Sequence, residues 1–175
     1  MRACSLILCA VLAAAPALAA DKGGRHHPAH HHGIARLEVI LEGGTLQIAL
    51  DSPADNLLGF EHAPRTDAQR KTVTRVEQQL QQPAQLFTPA EAADCRHQAP
   101  RIEMKLPAPD SRETHSEIAA EWRWECARPE ALGHVDVGLF KVFPRLRELR
   151  VQVATAKGQK AVVLKPGAIR LRVGS

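Results

Sequence analysis

The chain has 175 residues, with 23 Lys and Arg against 19 Asp and Glu, which gives a formal net charge of +4. The charges are interspersed, and with no Tyr, four Phe and two Trp the chain offers no basic groove with stacking aromatic side chains. We therefore do not expect it to bind nucleic acid. The signatures H-E-x-x-H and G-x-S-x-G and a phosphate-binding glycine loop are missing, so we do not expect an enzyme.

An export signal is predicted at the N-terminus. The segment "MRACSLILCAVLAAAPALAA" has a positive charge at Arg2, an apolar run from Leu6 to Ala15, and small residues after that run. This three-part pattern is typical of a secretory signal peptide and is too short for a membrane-spanning helix. We predict that residues 1–20 are the signal, cleaved after Ala19 or Ala20. No second long apolar run follows, so we expect an exported protein without a membrane anchor.

A flexible histidine-rich arm is predicted over residues 21–33. Pro28 and Gly33 argue against a helix in "HHPAHHHG", and imidazole suits zinc, copper and nickel at neutral pH. The candidate ligands are His26, His27, His30, His31 and His32. A polar tail that binds nothing is the alternative.

The arm should hold a metal reversibly. Ordering six residues at roughly 1–2 kcal/mol each opposes a metal-binding free energy of about 10–16 kcal/mol, the range apparent for structural zinc. We therefore expect it to capture metal and release it readily. Copper binds such sites more tightly than zinc, so the arm by itself does not identify its metal.

Strand patterns begin directly after the arm. "IARLEVILE" and "TLQIAL" alternate apolar and polar residues on either side of Gly43-Gly44, which predicts a β-hairpin. Residues 51–65 contain Pro, Asp, Asn and Gly, which predicts a structured loop. Thr66 and Gln69 then form a capping-box pattern before apolar residues at helical spacing, and this main helix should end before Pro83.

The rest of the chain favours strands. Thr88-Pro89-Ala90-Glu91 predicts a short second helix that ends near Cys95. "HSEIAAEWRWEC", "HVDVGLF", "ELRVQVAT" and "AIRLRV" alternate again, with a turn at Lys157-Gly158. We predict a single α+β domain over residues 34–175, with about seven strands in mainly antiparallel, sandwich-like sheet, one main helix and one short helix.

Two cysteines remain after the predicted signal. Cys95 and Cys126 stand in a chain that we expect in an oxidising compartment, where two such residues most often form a disulfide. Cys126 shares the inward strand face of the tryptophans, which favours a structural role. A metal site of two thiolates is the alternative.

Histidines outside the arm give weaker signals. His62 lies beside Glu61 in "GFEH", where it could be a ligand or only part of the loop. Two further pairs stand two positions apart on outward strand faces, where most polar side chains are simply solvated. These less favoured metal candidates are His115 with Glu117, and His134 with Asp136.

Several segments together resemble a known family. "HHHGIARLEVILEGGTLQIALDSPADNLLGFEHAPRTDAQRKTV", Cys95, "HSEIAAEWRWEC", "LFKVFP" and "LRVQVAT…GQKAVVL" resemble the ZrgA-like family of periplasmic zinc-uptake proteins, with "SPADNLLGFEH" as the most specific block. The resemblance implies a Gram-negative periplasmic protein that binds zinc and assists a high-affinity zinc importer. It also implies that His32 and His62 are family positions.

The chain departs from that family at one loop. Many members carry a His/Asp-rich loop before the "HSE" strand, whereas this chain has "LPAPDSRETHSE" with only His115. The N-terminal arm is then the main zinc reservoir. We expect a periplasmic zinc-binding accessory protein whose partner is the binding protein of a zinc importer. The alternative is an envelope module that docks through "SPADNLLGFEH" and binds metal only incidentally.

Overall fold

A computed structural model describes residues 31–109, 111 and 116–174 of the chain. The predicted signal peptide and most of the predicted arm lie outside the described residues. The strands are β1 Ile34–Glu42, β2 Thr45–Pro53, β3 Phe87–Pro89, β4 Cys95–His97, β5 Arg101–Lys105, β6 Glu117–Cys126, β7 His134–Val137, β8 Glu148–Thr155, β9 Gly158–Leu164 and β10 Arg170–Arg172. The helices are α1 Ala54–Leu58, α2 Asp67–Leu80, α3 Pro83–Leu86 and α4 Leu139–Val142.

The strands form two sheets. The larger has the order β4-β6-β2-β1-β8-β9, with β5 also paired to β6, and the smaller has the order β10-β7-β3. β1 and β8 run parallel, and every other strand pairing among the described residues is antiparallel. The predicted α+β class with mainly antiparallel sheet is confirmed.

The predicted hairpin and the long strand β6 form the centre of the larger sheet. β1 and β2 pair in antiparallel register around Gly43-Gly44, and β2 pairs with β6 along its whole length. Their alternating apolar residues are buried, as the period-2 pattern predicts for a sheet covered on one face. The buried face carries Leu37, Val39, Leu46, Ile48, Leu50, Ile118, Ala120, Trp122 and Trp124.

Helix α2 covers part of this buried face. Thr66 and Gln69 form the predicted capping box, and Val76 and Leu80 are buried. At the helix end, the Leu80 carbonyl accepts a hydrogen bond of 2.9 Å from Nε1 of Trp122. The indole is fully buried, so this bond satisfies its polar atom and fixes the end of α2 over the sheet.

The prediction that residues 51–65 lack regular structure is wrong at the start of that segment. β2 continues to Pro53 because Asp51, Ser52 and Pro53 remain in register with β6. The single turn of helix α1 follows at once and ends at Gly59, which has the left-handed φ of 86°. Strand pairing and burial of Leu57 and Leu58 thus outweigh the local loop composition.

The predicted second helix is also different in the structure. Pro89 lies in β3, which pairs with β7, and only Glu91–Ala93 forms a 3₁₀ turn. Cys95 begins strand β4 instead of ending a helix. Likewise Leu139 is buried as predicted but begins helix α4, not a strand. Pairing with a neighbouring strand, and not the local capping pattern, decides the conformation of Pro89 and Cys95.

The predicted disulfide is present between Cys95 and Cys126. The two residues are direct partners in the antiparallel pairing of β4 with β6, and their sulfurs are bonded at 2.07 Å. The bridge therefore joins the short strand β4 to the central strand β6. Within the described residues, no helix is both long enough and apolar enough to span a membrane.

Candidate functional site

The arm enters the domain through a fixed turn. The Ile34 amide donates to the His31 carbonyl at 3.1 Å, and Gly33 between them has a φ of 84°. The Gly33 carbonyl accepts from the Arg147 and Glu148 amides at 2.7 and 2.9 Å. A Cβ at position 33 would also approach the Arg147 side chain to 3.1 Å. The last arm residues therefore have a defined position at the start of β1.

Asn56, in the middle of "SPADNLLGFEH", holds this turn from inside the domain. Its side chain is almost fully buried, and its Oδ1 accepts from the Gly33 amide at 2.5 Å. Its Nδ2 donates to the Ile34 carbonyl at 2.9 Å and to Ser52 Oγ at 3.1 Å. Such a network is stable only when every polar atom is satisfied. Asn56 thus joins α1 and β2 to the point where the arm begins.

His32 lies between two carboxylates of the same block. Its Nδ1 is 3.8 Å from Asp55 Oδ2, and its Nε2 is 3.7 Å from Glu61 Oε1. The imidazole is 65 % exposed, whereas the two acidic side chains are 15 % and 16 % exposed. Asp55 also contacts Arg145, whose Nη2 lies 3.2 Å from Oδ1. An accessible imidazole therefore faces two shielded carboxylates.

The distances decide how these groups could share a zinc ion. Ligand atoms on one tetrahedral zinc lie roughly 3.4 Å apart, which follows from bond lengths of about 2.0–2.2 Å. Nε2 of His32 and Glu61 Oε1, at 3.7 Å, come close to that spacing. Asp55 faces the opposite ring nitrogen, so a single ion cannot use all three groups in this arrangement. Asp55 Oδ2, 3.8 Å from Nδ1, is beyond hydrogen-bond distance, but it places a negative charge behind the ring, where metal-bound histidines commonly have a carboxylate.

His62 has the hydrogen-bond arrangement of a prepared ligand. Its Nδ1 lies 2.8 Å from the Ala63 carbonyl, which can only accept, so Nδ1 carries the proton. Its Nε2 lies 3.5 Å from Nε2 of Gln69. The ring also stacks on Phe60, with centroids 5.2 Å apart. A backbone carbonyl that fixes the tautomer in this way is typical of metal-binding histidines.

A polar cavity of about 260 Å³ adjoins Glu61 and His62. Arg65 and the segment from Pro107 to Pro109 complete most of its wall. Ser116, at the start of β6, connects this wall to the site, because its hydroxyl donates to the Glu61 carbonyl and its carbonyl accepts from the Ala54 amide. Glu61 therefore stands between His32 on one side and the cavity on the other.

The less favoured candidates lie elsewhere. His134 and Asp136 are on β7 in the smaller sheet, where Arg170 binds both Asp136 oxygens, at 2.8 and 3.0 Å. The hydrogen bond from Arg170 lowers the pKa of Asp136, and the positive charge of Arg170 adds to that effect. Glu117 is half-buried at the start of β6. His26, His27, His30 and His115 lie outside the described residues.

No group of three or more His, Cys, Asp or Glu side chains that could hold a metal ion is found in the described part of the chain. His32 and His62 both lie beside Glu61, but they are not gathered into one closed site. Sequence reasoning identified these two histidines and missed three of their neighbours, Asp55, Asn56 and Arg145. Asp55 and Asn56 could have been identified from the sequence because they belong to the block "SPADNLLGFEH", whereas nothing in the sequence marks Arg145.

The fold and the site define a β-rich α+β domain in which His32 meets two shielded carboxylates where the first strand begins. The family model of the ZrgA family zinc uptake proteins matches residues 29–173, which is nearly the whole described chain. The chain belongs to that family. A search of the curated proteins finds no match.

Proposed function

We propose that the protein captures zinc on its histidine arm and passes it to the His32–Glu61–His62 end of the domain, from which it supplies a high-affinity zinc importer. The family is one of zinc uptake proteins, which supports zinc as the metal and uptake as the process. Imidazole with carboxylate is a common zinc ligand set. Zinc is here the cargo, so the protein must release it as well as bind it.

One observation carries the proposal. His32 is at once the last histidine of the arm and the residue that faces Asp55 and Glu61 in the domain. An ion that reaches His32 would therefore lie beside carboxylates that the domain holds in place. Asn56 fixes the backbone of this junction through Gly33 and Ile34. The arm supplies capture, and the domain end supplies a defined point of transfer.

Export to the periplasm belongs to the same proposal. The signal-peptide pattern of residues 1–20 and the Cys95–Cys126 disulfide both suit an oxidising compartment. We infer that the partner is the periplasmic binding protein of the importer. The partly exposed groups of the site, which include Asp55, Glu61 and His62, provide the surface that this partner would approach.

Zinc titration of the full mature chain tests the proposal. Replacement of His26, His27, His30 and His31 by serine should remove most of the bound zinc and leave a weaker site at His32. Further replacement of His32 by alanine should abolish much of the remainder. An unchanged stoichiometry in the serine variant would overturn the arm as reservoir. The bound zinc would then lie on other residues, whereas a mature wild-type chain that binds no zinc would favour the alternative of an envelope docking module.

The pH dependence of the same titration provides a second check. Imidazole binds zinc only after losing its proton, and free histidine side chains titrate around pH 6.5. Zinc affinity should therefore fall steeply between about pH 7.5 and about pH 5.5. A site made mainly of carboxylates, which stay ionised in this range, would change little.

A further inference from the structure

Gln69 makes two different contacts with one side chain. It is the third residue of α2, where its Oε1 accepts from the Arg65 amide at 2.8 Å and from the Thr66 amide at 3.3 Å. The Gln69 amide in turn donates to Thr66 Oγ1 at 3.2 Å. The two bonds between Gln69 and Thr66 form the capping box that begins the helix. The remaining atom of the side chain, Nε2, faces His62.

These contacts fix the orientation of the Gln69 amide. Both backbone partners of Oε1 are N–H donors, so the oxygen must point toward them and the NH₂ group toward the histidine. Nε2 of His62 then accepts from that NH₂ group across 3.5 Å. With Nδ1 donating to the Ala63 carbonyl and Nε2 accepting from Gln69, the lone pair of the ring lies on Nε2. The protein thus presents a metal-competent lone pair and covers it with an amide.

We propose that Gln69 is a latch on His62, a positioning residue that occupies Nε2 until zinc replaces it. This inference rests on the proposed function, in which His62 receives zinc at the domain end. Entry of zinc breaks one long hydrogen bond and forms one coordination bond, and no proton leaves Nε2. Oε1 keeps its two backbone donors, so the start of α2 remains capped while the latch is open.

The contact between Gln69 and His62 lowers the zinc affinity of His62 and so favours release of zinc from that end of the domain. His62 must give up its contact with Gln69 before it binds zinc, whereas an uncovered imidazole loses no such hydrogen bond. Zinc should therefore stay at His62 less firmly than at an uncovered imidazole. A protein that delivers zinc must also release it, and weak zinc binding at His62, beside the partly exposed surface, allows this release.

Four variants test the latch in a full-length background with serine at positions 26, 27, 30 and 31. Zinc affinity is measured by competition with a chelator, and stability is measured by thermal unfolding. Gln69→Ala removes both the latch and its part of the cap, so it should bind zinc about fivefold more tightly and unfold at a lower temperature. Gln69→Glu keeps the capping box but turns an oxygen toward His62, so it should bind zinc at least as tightly as Gln69→Ala with unchanged stability.

Thr66→Ala is the matched control. It removes the Thr66 hydroxyl from the cap and leaves the Gln69 amide on His62, so it should unfold earlier without any change in zinc affinity. The ring tautomer of His62, observed by ¹⁵N nuclear magnetic resonance in the zinc-free protein, is independent of both assays. It should be the Nδ1–H form in the background protein and should include more of the Nε2–H form in Gln69→Ala.

The outcomes separate the latch from the proposed function. His62→Ala should weaken zinc binding in this background. If it does so while Gln69→Ala and Gln69→Glu bind like the background protein, the latch is wrong and His62 remains a ligand. If His62→Ala binds zinc as tightly as the background protein, His62 receives no zinc and both inferences fail.

Discussion

Two regions of the molecule combine histidine with carboxylate, and they use the combination differently. At the arm junction, the exposed His32 ring faces Asp55 and Glu61. On the smaller sheet, Asp136 near His134 is bound at both oxygens by Arg170. His134 and Asp136 are two positions apart in the sequence, whereas His32 meets its two carboxylates only in the folded chain. The difference teaches that closeness in the sequence does not make a carboxylate available to a metal: His32 meets two acids in the fold, whereas both oxygens of Asp136 are bound by Arg170.

The arm junction lies at the surface, but a buried hydrogen-bond network holds it in place. Asn56 supplies three hydrogen bonds from the core to the turn at Gly33 and to Ser52. The Asp136–Arg170 pair, by contrast, joins the exposed Arg170 to a partly exposed Asp136 on the neighbouring strand. Exposed ion pairs contribute little to stability, whereas a buried polar network is costly to break. One region is therefore suited to hold a ligand in position, and the other to stabilise an edge of a small sheet.

The largest expected effect is on zinc affinity. In the full-length protein with serine at positions 26, 27, 30 and 31, His32→Ala should weaken zinc binding at least about a hundredfold, since it removes a ligand. His134→Ala is the matched control and should change the affinity less than twofold. Calorimetric titration measures both. Equal losses in the two variants would remove the distinction between the regions.

The next effect is on stability. Asn56→Ala leaves the Gly33 amide and the Ile34 carbonyl without their partner in the core, which should lower the free energy of unfolding by about 2–3 kcal/mol. The same variant should weaken zinc binding in the serine background, because His32 loses its fixed backbone. Denaturation with urea measures the first quantity. A stability like that of the wild type would show that Asn56 does not hold the junction.

A smaller effect distinguishes the two carboxylates around His32. Asp55→Asn should weaken zinc binding about tenfold, as expected when the group behind a ligating histidine is changed. Glu61→Gln should weaken it more, because Glu61 is placed beside Nε2 as a ligand. Titration in the serine background measures both variants. The reverse order would exchange the roles of Asp55 and Glu61.

Much of the larger sheet could be predicted because burial on one face imposes a strict alternation on its long strands. The hairpin of β1 with β2 and the strand β6 were found in this way, with the correct inward residues. Strands β3 and β4, three residues each, are too short to show a period. The parallel pairing of β1 with β8 joins segments more than a hundred residues apart and leaves no local trace.

The candidate site was predicted only in part, for a related reason. His32 and His62 were marked by the histidine cluster and by the family resemblance. The role of Asn56 depends on burial, and a polar residue among Pro, Asp and Gly predicts an exposed loop. Arg145 meets Asp55 across 90 residues of sequence, so only the folded chain brings the two together. Gln69 was recognised as a capping residue, but its contact with His62 follows from the path of the chain between them.

The smallest expected effect concerns the smaller sheet, where Arg170 binds Asp136. Arg170 lowers the pKa of Asp136 in the folded protein, so ionised Asp136 favours folding above the usual carboxylate range around pH 4. This contribution should disappear as the pH falls through the lowered pKa. Asp136→Asn lacks it at every pH, so the variant should be slightly less stable than the wild type at pH 7. The stabilities of the two proteins should converge once the pH has fallen through that lowered pKa, and their zinc affinities should be equal throughout. A loss of zinc binding in Asp136→Asn would mean that Arg170 does not keep this carboxylate from metal, and the contrast between the two regions would fail.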